Sequence, residues 1–371
     1  MQIAILGAGM VGRAMAIDLQ QKYSVTSFDI SEQSLDILSK KNKLIKTVKS
    51  DLSNFENYPT LLQNFDYVIC AVPGFMGYNA LQAIINAGKN VVDISFFPED
   101  ALTLDNLAKQ KNVTAIVDCG VAPGMSNLIL GYHNANMTIT NFECMVGGLP
   151  KKRVKPFEYK APFSPIDVLE EYTRPARYVE NSCIITKPAL SDAELLNFEP
   201  IGTLESFNTD GLRSILFTMG HIPNMKEKTL RYPGHIDLMK GLIAAGFLST
   251  EKINGLATTP MEFTSKLLFN QWKLGEEEPE FTLMQINISD KTKTITYNLY
   301  DEYDATTKTS SMSRTTGYTA TAALNMLIDG QFKDKGVFPP ELVGKYENCF
   351  NYMLGYLKER NVLYTKSEVV N

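Results

Sequence analysis

The sequence is short of positive charge, of cysteine and histidine, and of long apolar runs, and each shortage removes a class of function. Lys and Arg number 36 against 41 Asp and Glu, a formal charge of −5, so no basic field exists to gather a nucleic acid from solution. The five cysteines, Cys70, Cys119, Cys144, Cys183 and Cys349, are odd in number, widely spread and without a C-x-x-C pair. Neither a disulfide framework nor a structural zinc site is suggested, and a reducing compartment fits. Only three histidines occur, His133, His221 and His235, and neither G-x-S-x-G nor H-E-x-x-H is present. Hydrolase and metalloenzyme readings therefore have no motif to stand on, and no metal is expected. No apolar stretch approaches the roughly 20 residues of a membrane span, and the chain opens on the strand-like Ile3-Ala4-Ile5-Leu6 without signal-peptide features. The expectation is a cytoplasmic, globular protein with a small-molecule partner and neither nucleic acid nor membrane.

What is present starts with size: 371 residues with 44% apolar content predict two domains, or one with a large insertion. In the first third, β-branched runs at 2–6, 24–28, 45–48, 67–72, 91–94 and 114–117 alternate with helical periodicity at 10–22, 77–87 and 102–111. That alternation predicts a doubly wound parallel sheet with helices on both faces. Beyond residue 122 the rhythm changes. Residues 138–146 read as a strand, and 281–288 with 293–299 as an antiparallel hairpin around Ser289-Asp290-Lys291, with short helical pieces between. A helix is predicted from Ser164-Pro165 through Tyr172, and two more at 319–328 and 346–358. These last two are expected to pack back on the first domain, giving residues 1–122 plus 319–371 as one domain and 123–318 as an inserted α+β substrate and dimerisation domain.

Gly7-Ala8-Gly9-Met10-Val11-Gly12 is a G-x-G-x-x-G run between a predicted strand and a predicted helix, the context that a dinucleotide fingerprint requires. The glycines supply a tight turn, close approach to a pyrophosphate and close helix–strand packing, and the helix start supplies the anion site through Gly9, Met10, Val11 and Gly12. Asp29, at the end of the second strand, is placed to accept from an adenosine ribose. An acid there repels a 2′-phosphate, and Ile30-Ser31-Glu32 offers no Arg to counter it, so NAD is expected over NADP. Ala71, Val72 and Pro73 end the fourth strand and are expected to line the same cleft.

Asp118 ends the sixth strand and opens the loop Cys119-Gly120-Val121-Ala122-Pro123-Gly124. At the carboxyl end of a strand it is placed to take a proton or hold an ammonium group; the alternative is a cap for the helix beginning near Pro123. Gly120 is assigned to the cofactor side of this loop.

The strings Val117-Asp118-Cys119-Gly120-Val121-Ala122-Pro123-Gly124-Met125, Gly147-Gly148-Leu149-Pro150, Glu171-Tyr172-Thr173-Arg174-Pro175-Ala176, Lys228-Thr229-Leu230-Arg231-Tyr232-Pro233-Gly234-His235, Thr316-Gly317-Tyr318-Thr319-Ala320 and Gly336-Val337-Phe338-Pro339-Pro340-Glu341 together resemble the saccharopine dehydrogenase family. Within it they are similar to members close to lysine 6-dehydrogenase. The resemblance implies a Rossmann domain carrying an inserted substrate domain before its C-terminal helices, and a homodimer. It implies a nicotinamide-dependent enzyme that makes or breaks a C–N bond at the end of a lysine-like chain. Fungal members carry Cys directly before Gly-Gly-Leu-Pro and a Tyr after the fifth strand, where this chain has Val146 and Ser95-Phe96-Phe97. Those departures turn the expectation toward the lysine dehydrogenase side.

Substrate residues follow from the chemistry of an amino acid. A planar guanidinium matches a carboxylate, which nominates Arg213, with Asp210 beside it for an ammonium group or for Arg213 itself. Arg231 is the second carboxylate candidate, and His235 a proton acceptor or a structural histidine. Lys160 is a further carboxylate partner of low rank, while Lys151-Lys152-Arg153 reads as a solvated loop. Two alternatives stay open: a carboxynorspermidine dehydrogenase-like polyamine enzyme, and a non-catalytic NAD-binding sensor or assembly protein.

Overall fold

A computed structural model describes residues 1–370. It divides into two units, residues 1–138 with 312–364 and residues 139–311 with 365–370. The predicted boundary at 122 differs from the observed one because the helix Met125–Asn134 belongs to the first unit. Its Asn127 side chain donates to Glu341 Oε2 at 3.2 Å, inside the buried interior of that unit.

The first unit is the expected doubly wound sheet. In chain order it contains β1 (Gln2–Leu6), α1 (Met10–Gln20), β2 (Ser24–Asp29), α2 (Glu32–Lys41), β3 (Lys46–Lys49), β4 (Tyr67–Cys70), α3 (Gly74–Asn86), β5 (Asn90–Asp93), β6 (Thr114–Ile116) and α4 (Met125–Asn134). A seventh strand, Gly336–Phe338, joins the β6 edge, and the order is Gly336–Phe338, β6, β5, β4, β1, β2, β3, with neighbouring strands parallel. β1 pairs with both β2 and β4, so the order reverses at β1. A crevice for ligands opens at such a switch point, outside the carboxyl ends of the strands. β1 and β4 at the centre of the sheet read as apolar runs because both faces are covered; Ile3, Ala4, Ile5 and Leu6 have no exposed surface. The helix Ser311–Ile328 begins eight residues before its predicted start at 319. Ser-Met-Ser-Arg-Thr-Thr-Gly is a weak helix former, yet Gly317 lets this helix approach α1, since a Cβ there would stand 3.2 Å from Met15 Cγ.

The second unit is built on a mixed sheet. Its elements are β7 (Asn141–Pro150), α5 (Pro165–Thr173), β8 (Ala176–Glu180), β9 (Cys183–Lys187), β10 (Glu194–Phe198), β11 (Gly202–Asn208), β12 (Asn224–Arg231), α6 (His235–Ala244), α7 (Pro260–Trp272), β13 (Glu280–Ser289) and β14 (Lys293–Glu302). The predicted hairpin is β13–β14, and the main path runs β10, β11, β12, β7, β13, β14, then the strand Tyr364–Val370. The region expected to hold helical pieces is therefore largely strand. β12 hides this because it alternates nothing: Glu227, Lys228, Thr229, Leu230 and Arg231 are all buried. Its charges are paired inside the unit, Lys228 with Glu194 at 2.7 Å and Lys226 with Glu143 at 2.8 Å. Apolar side chains of α5, α6, α7, β7, β11 and β13 close the core around Trp272. Among the described residues no helix is long and apolar enough to cross a membrane.

Candidate functional site

The glycine turn is built as its spacing demands. Gly7 has φ 114°, and a Cβ on it would stand 2.3 Å from Ala71 O; a Cβ on Gly12 would stand 2.1 Å from Gly7 O. Both positions are closed to any other residue without backbone movement. Gly9 is different, because a Cβ there would meet nothing within 4 Å. It is the N-cap of α1 and provides no side-chain cap, so the first-turn N–H groups of Met10 and Val11 stand beside open space at the positive end of the helix. Free N–H groups at a helix start are the chemistry that an anion such as a pyrophosphate needs.

Asp29 is fixed beside it. Its Oδ2 accepts from the Ala8 N–H at 2.6 Å and its Oδ1 from the Ser31 N–H at 2.7 Å, which ties the glycine turn to the start of α2. Ala71, Val72 and Pro73 carry the chain from β4 into α3, and Ala71 N–H donates to Leu6 O at 2.8 Å, placing this turn against the glycines. The residues named for the dinucleotide on the first two strands and on β4 thus come together, and they fit such a group. One further residue was not foreseen: Arg13 is buried and donates to Ala8 O at 3.0 Å, bracing the turn from below.

Asp118 follows β6 with 7% of its surface exposed and φ 52°, a left-handed conformation uncommon for a residue with a Cβ and frequent at functional sites. The Cys119 N–H after it donates to Asp93 O at 3.0 Å, joining this loop to the end of β5. Gly120 is used within the loop, its N–H donating to Asp118 O at 3.0 Å and to Pro123 O at 3.2 Å. Asp93 itself, absent from the sequence-derived set, is fully buried. Burial pushes its carboxyl up to about 7, the Asp118 charge adds to the rise, and hydrogen bonds from Cys70 and Ser95 oppose it.

In the second unit the structure uses several nominated residues otherwise than expected. Arg231, 2% exposed, donates from Nε to Tyr172 Oη at 2.8 Å and from its terminal nitrogens to Leu230 O at 3.0 Å and Glu171 Oε2 at 2.9 Å. Its guanidinium also stacks 4.4 Å from the Tyr159 ring centroid. Burial pushes the Glu171 carboxyl up and the Arg231 charge opposes it. A cation so fully engaged is a core ion pair, and the expected carboxylate clamp at Arg231 is corrected accordingly.

His235 is corrected in the same way. Nδ1 lies 2.8 Å from Phe157 O, a pure acceptor, so Nδ1 carries the hydrogen and Nε2 accepts from Tyr172 Oη at 2.9 Å. Burial, with the Arg231 charge, pushes the imidazole down to about 4. A neutral ring 3% exposed with both nitrogens engaged is a structural histidine. Asp210 pairs with Arg177, accepting at 2.9 Å from Nε and from Nη2, and Lys160 donates to Gln271 O at 2.9 Å and Lys273 O at 3.3 Å. Of the expected solvated run, Lys151 pairs with Glu302 and Arg153 with Glu158 at 2.6 Å. Arg213 is buried, with φ 49° in the turn between β11 and the short helix Ile215–Thr218. Among the described residues no group of three or more His, Cys, Asp or Glu could hold a metal.

A doubly wound sheet with an uncapped glycine turn, acids ending β2 and β5 and a third in the loop after β6, together with a second sheet-based unit, defines a two-unit dinucleotide-binding α/β protein. Comparison with known proteins makes this specific: the saccharopine dehydrogenase NADP binding domain matches residues 3–116 and the saccharopine dehydrogenase C-terminal domain matches residues 120–362. The chain belongs to the saccharopine dehydrogenase family. Among curated proteins, the mitochondrial alpha-aminoadipic semialdehyde synthase of Rattus norvegicus is 23% identical over 284 residues, 72% of this chain and 30% of the rat protein. Saccharopine dehydrogenase [NADP(+), L-glutamate-forming] of Saccharomyces cerevisiae is 24% identical over 239 residues, 60% of this chain and 52% of that enzyme. The chain thus spans about a third of the length of the semialdehyde synthases it matches. The apo saccharopine dehydrogenase (L-Glu forming) structure from S. cerevisiae superposes with a TM-score of 0.81 at 19% identity, covering 99% of each chain, which shows a shared fold.

Proposed function

We propose that this protein is a nicotinamide-dinucleotide-dependent oxidoreductase acting on a C–N bond of a lysine-derived amino acid, of saccharopine dehydrogenase or lysine 6-dehydrogenase type. The observation that carries it is the convergence of the glycine turn, Asp29 and the left-handed Asp118 on the carboxyl ends of one parallel sheet, in a chain of this family. The dinucleotide, when bound, supplies the hydride acceptor. The first-turn N–H groups of α1 hold its pyrophosphate, Asp29 receives ribose hydroxyls, and Asp118 takes or returns the proton at the substrate nitrogen. Arg213 holds a substrate carboxylate.

The proposed cofactor is NAD. Asp29 is an anion held rigidly where a 2′-phosphate would come, and Lys49, its register partner on β3, is already paired with Glu32 at 2.7 Å. Relatives named for NADP(+), the S. cerevisiae enzyme among them, make the choice a test. Titration of both dinucleotides against the purified protein should give the tighter affinity with NAD, and Asp29→Asn should narrow the gap; a clear preference for NADP would refute the assignment. The proposed assembly is a homodimer, checked by analytical ultracentrifugation, where a monomer at assay concentrations would rule it out.

A further inference from the structure

An edge strand offers a row of unpaired N–H and C=O groups to any chain able to pair with it, and most edges are guarded by charge or by shortness. In the first sheet both guards are in place. Gly336–Phe338 is three residues long, and β3 carries Lys46 and Lys49 at its two ends, so a second copy laid antiparallel along it would set lysine against lysine. The strand Tyr364–Val370 has neither guard. It ends the second sheet beside β14, and among the described residues no strand pairs with its outer side. Thr365 Oγ1 donates to Asn298 O at 3.4 Å, and Glu368 Oε1 lies 2.9 Å from Lys293 Nζ, which ties the strand to β14. Its seven residues, Tyr-Thr-Lys-Ser-Glu-Val-Val, include neither Gly nor Pro. Residues 365–370 are all exposed, Val369 by 64% and Val370 by 79%.

The order of charges along this strand is complementary to itself. In an antiparallel pairing of two copies centred on Ser367, each Lys366 faces the partner's Glu368, each Thr365 the partner's Val369 and each Tyr364 the partner's Val370. Two opposite-charge pairs result and no like-charge pair. Centring on Lys366 or on Glu368 instead sets like charges opposite, so the charges select a single register. The other edges of the second sheet, β9 and β10, show no such match: the same operation sets Cys183 against Lys187 and Glu194 against Phe198. We propose that two copies of this protein join through Tyr364–Val370, each strand pairing antiparallel with its copy about Ser367, so that the second sheet continues across a two-fold axis. The backbone ladder supplies the attachment and the Lys366–Glu368 pairs fix the register. This assigns the seam of the homodimer proposed above and rests on that reading.

Analytical ultracentrifugation of the full chain with charge-reversal variants tests the seam. Lys366→Glu leaves two acids on the strand and Glu368→Lys two lysines, so like charges meet twice in either homodimer and each variant alone should dimerise about tenfold more weakly, or worse. Mixed in equal amounts, the two variants should sediment as a dimer at concentrations where each alone is monomeric, because every acid then meets a lysine. Mixing would not repair a damaged fold. Oxidative cross-linking is the second arm, in a Cys183→Ser background because Cys183 is the exposed cysteine. Ser367→Cys should give a disulfide-linked dimer, since opposed Cα atoms of an antiparallel pair stand about 4.5–5.5 Å apart, within reach of a disulfide. Thr365→Cys should not, because its own copy lies four residues along the partner strand, ~13 Å away. A monomeric wild type overturns the seam and the homodimer together. A dimer that neither charge reversal weakens, a mixture no more dimeric than its components, or Thr365→Cys linking as readily as Ser367→Cys overturns the seam and leaves the homodimer standing.

Discussion

Substituting His235 with Gln tests whether this residue is a core histidine, and its size follows from the site. Unfolded, the imidazole takes up a proton near 6.5; folded, desolvation and the Arg231 charge hold it back until about 4. Below 6.5 the unfolded chain therefore binds a proton that the folded chain refuses, so stability falls as pH drops through this window and is unaffected above it. At about 1.4 kcal/mol per pH unit the gap corresponds to about 3 kcal/mol, lost between the two values. Gln can still accept from Tyr172 but cannot titrate. Trp272 is the sole tryptophan and lies 6.3 Å from the His235 ring, centroid to centroid, so its fluorescence reports unfolding of this unit selectively. Urea denaturation followed by that signal at a series of pH values should show the wild type losing about 3 kcal/mol relative to His235→Gln on acidification. Parallel pH dependences for the two proteins would refute the buried, neutral assignment.

Gly9 and Gly12 should separate binding from packing. Gly12→Ala drives a Cβ into Gly7 O and should cost about 1–3 kcal/mol of stability, whereas Gly9→Ala meets no protein atom and should leave the melting temperature intact while weakening dinucleotide affinity; a Gly9→Ala protein that binds NAD normally would remove the pyrophosphate from this turn. Arg231→Met removes a buried guanidinium and leaves the partly buried Glu171 unpaired, and should destabilise the second unit by about 3 kcal/mol, read by Trp272 fluorescence, with the added Glu171→Gln change recovering part of the loss. An Arg213→Lys variant keeps the charge and loses the planar fork, so its KM for an amino-acid substrate should rise with melting temperature little changed; unaltered kinetics would exclude substrate contact there.

The first unit was legible because its signals are local. A glycine turn, a helix start and an acid ending the next strand lie within 23 residues, and Asp29 closes that circuit with a bond to Ala8. Asp93 carries a signal of the same kind: Val91-Val92-Asp93 repeats the apolar run closed by aspartate at Phe28-Asp29 and Val117-Asp118. The second unit was less legible because its charges are buried against partners distant in sequence. Arg231 meets Glu171 across 60 positions and Tyr159 across 72, so nothing near it shows that its guanidinium is already engaged. The same burial erased the alternation of β12. Exposed charge and buried, paired charge look identical in one sequence, which is why Arg231 and Asp210 present themselves as substrate groups and His235 as a proton acceptor.

The central claim is tested most directly by absorbance of reduced nicotinamide, using the full chain with NAD or NADP and separate additions of L-lysine, L-saccharopine and carboxynorspermidine. The account predicts reduction of NAD with L-lysine or L-saccharopine, abolished or strongly slowed in Asp118→Asn. Turnover undiminished in Asp118→Asn would contradict the assigned chemistry, and failure to reduce either dinucleotide with L-lysine or L-saccharopine, in a protein whose melting temperature NAD still raises, would contradict the proposed activity itself.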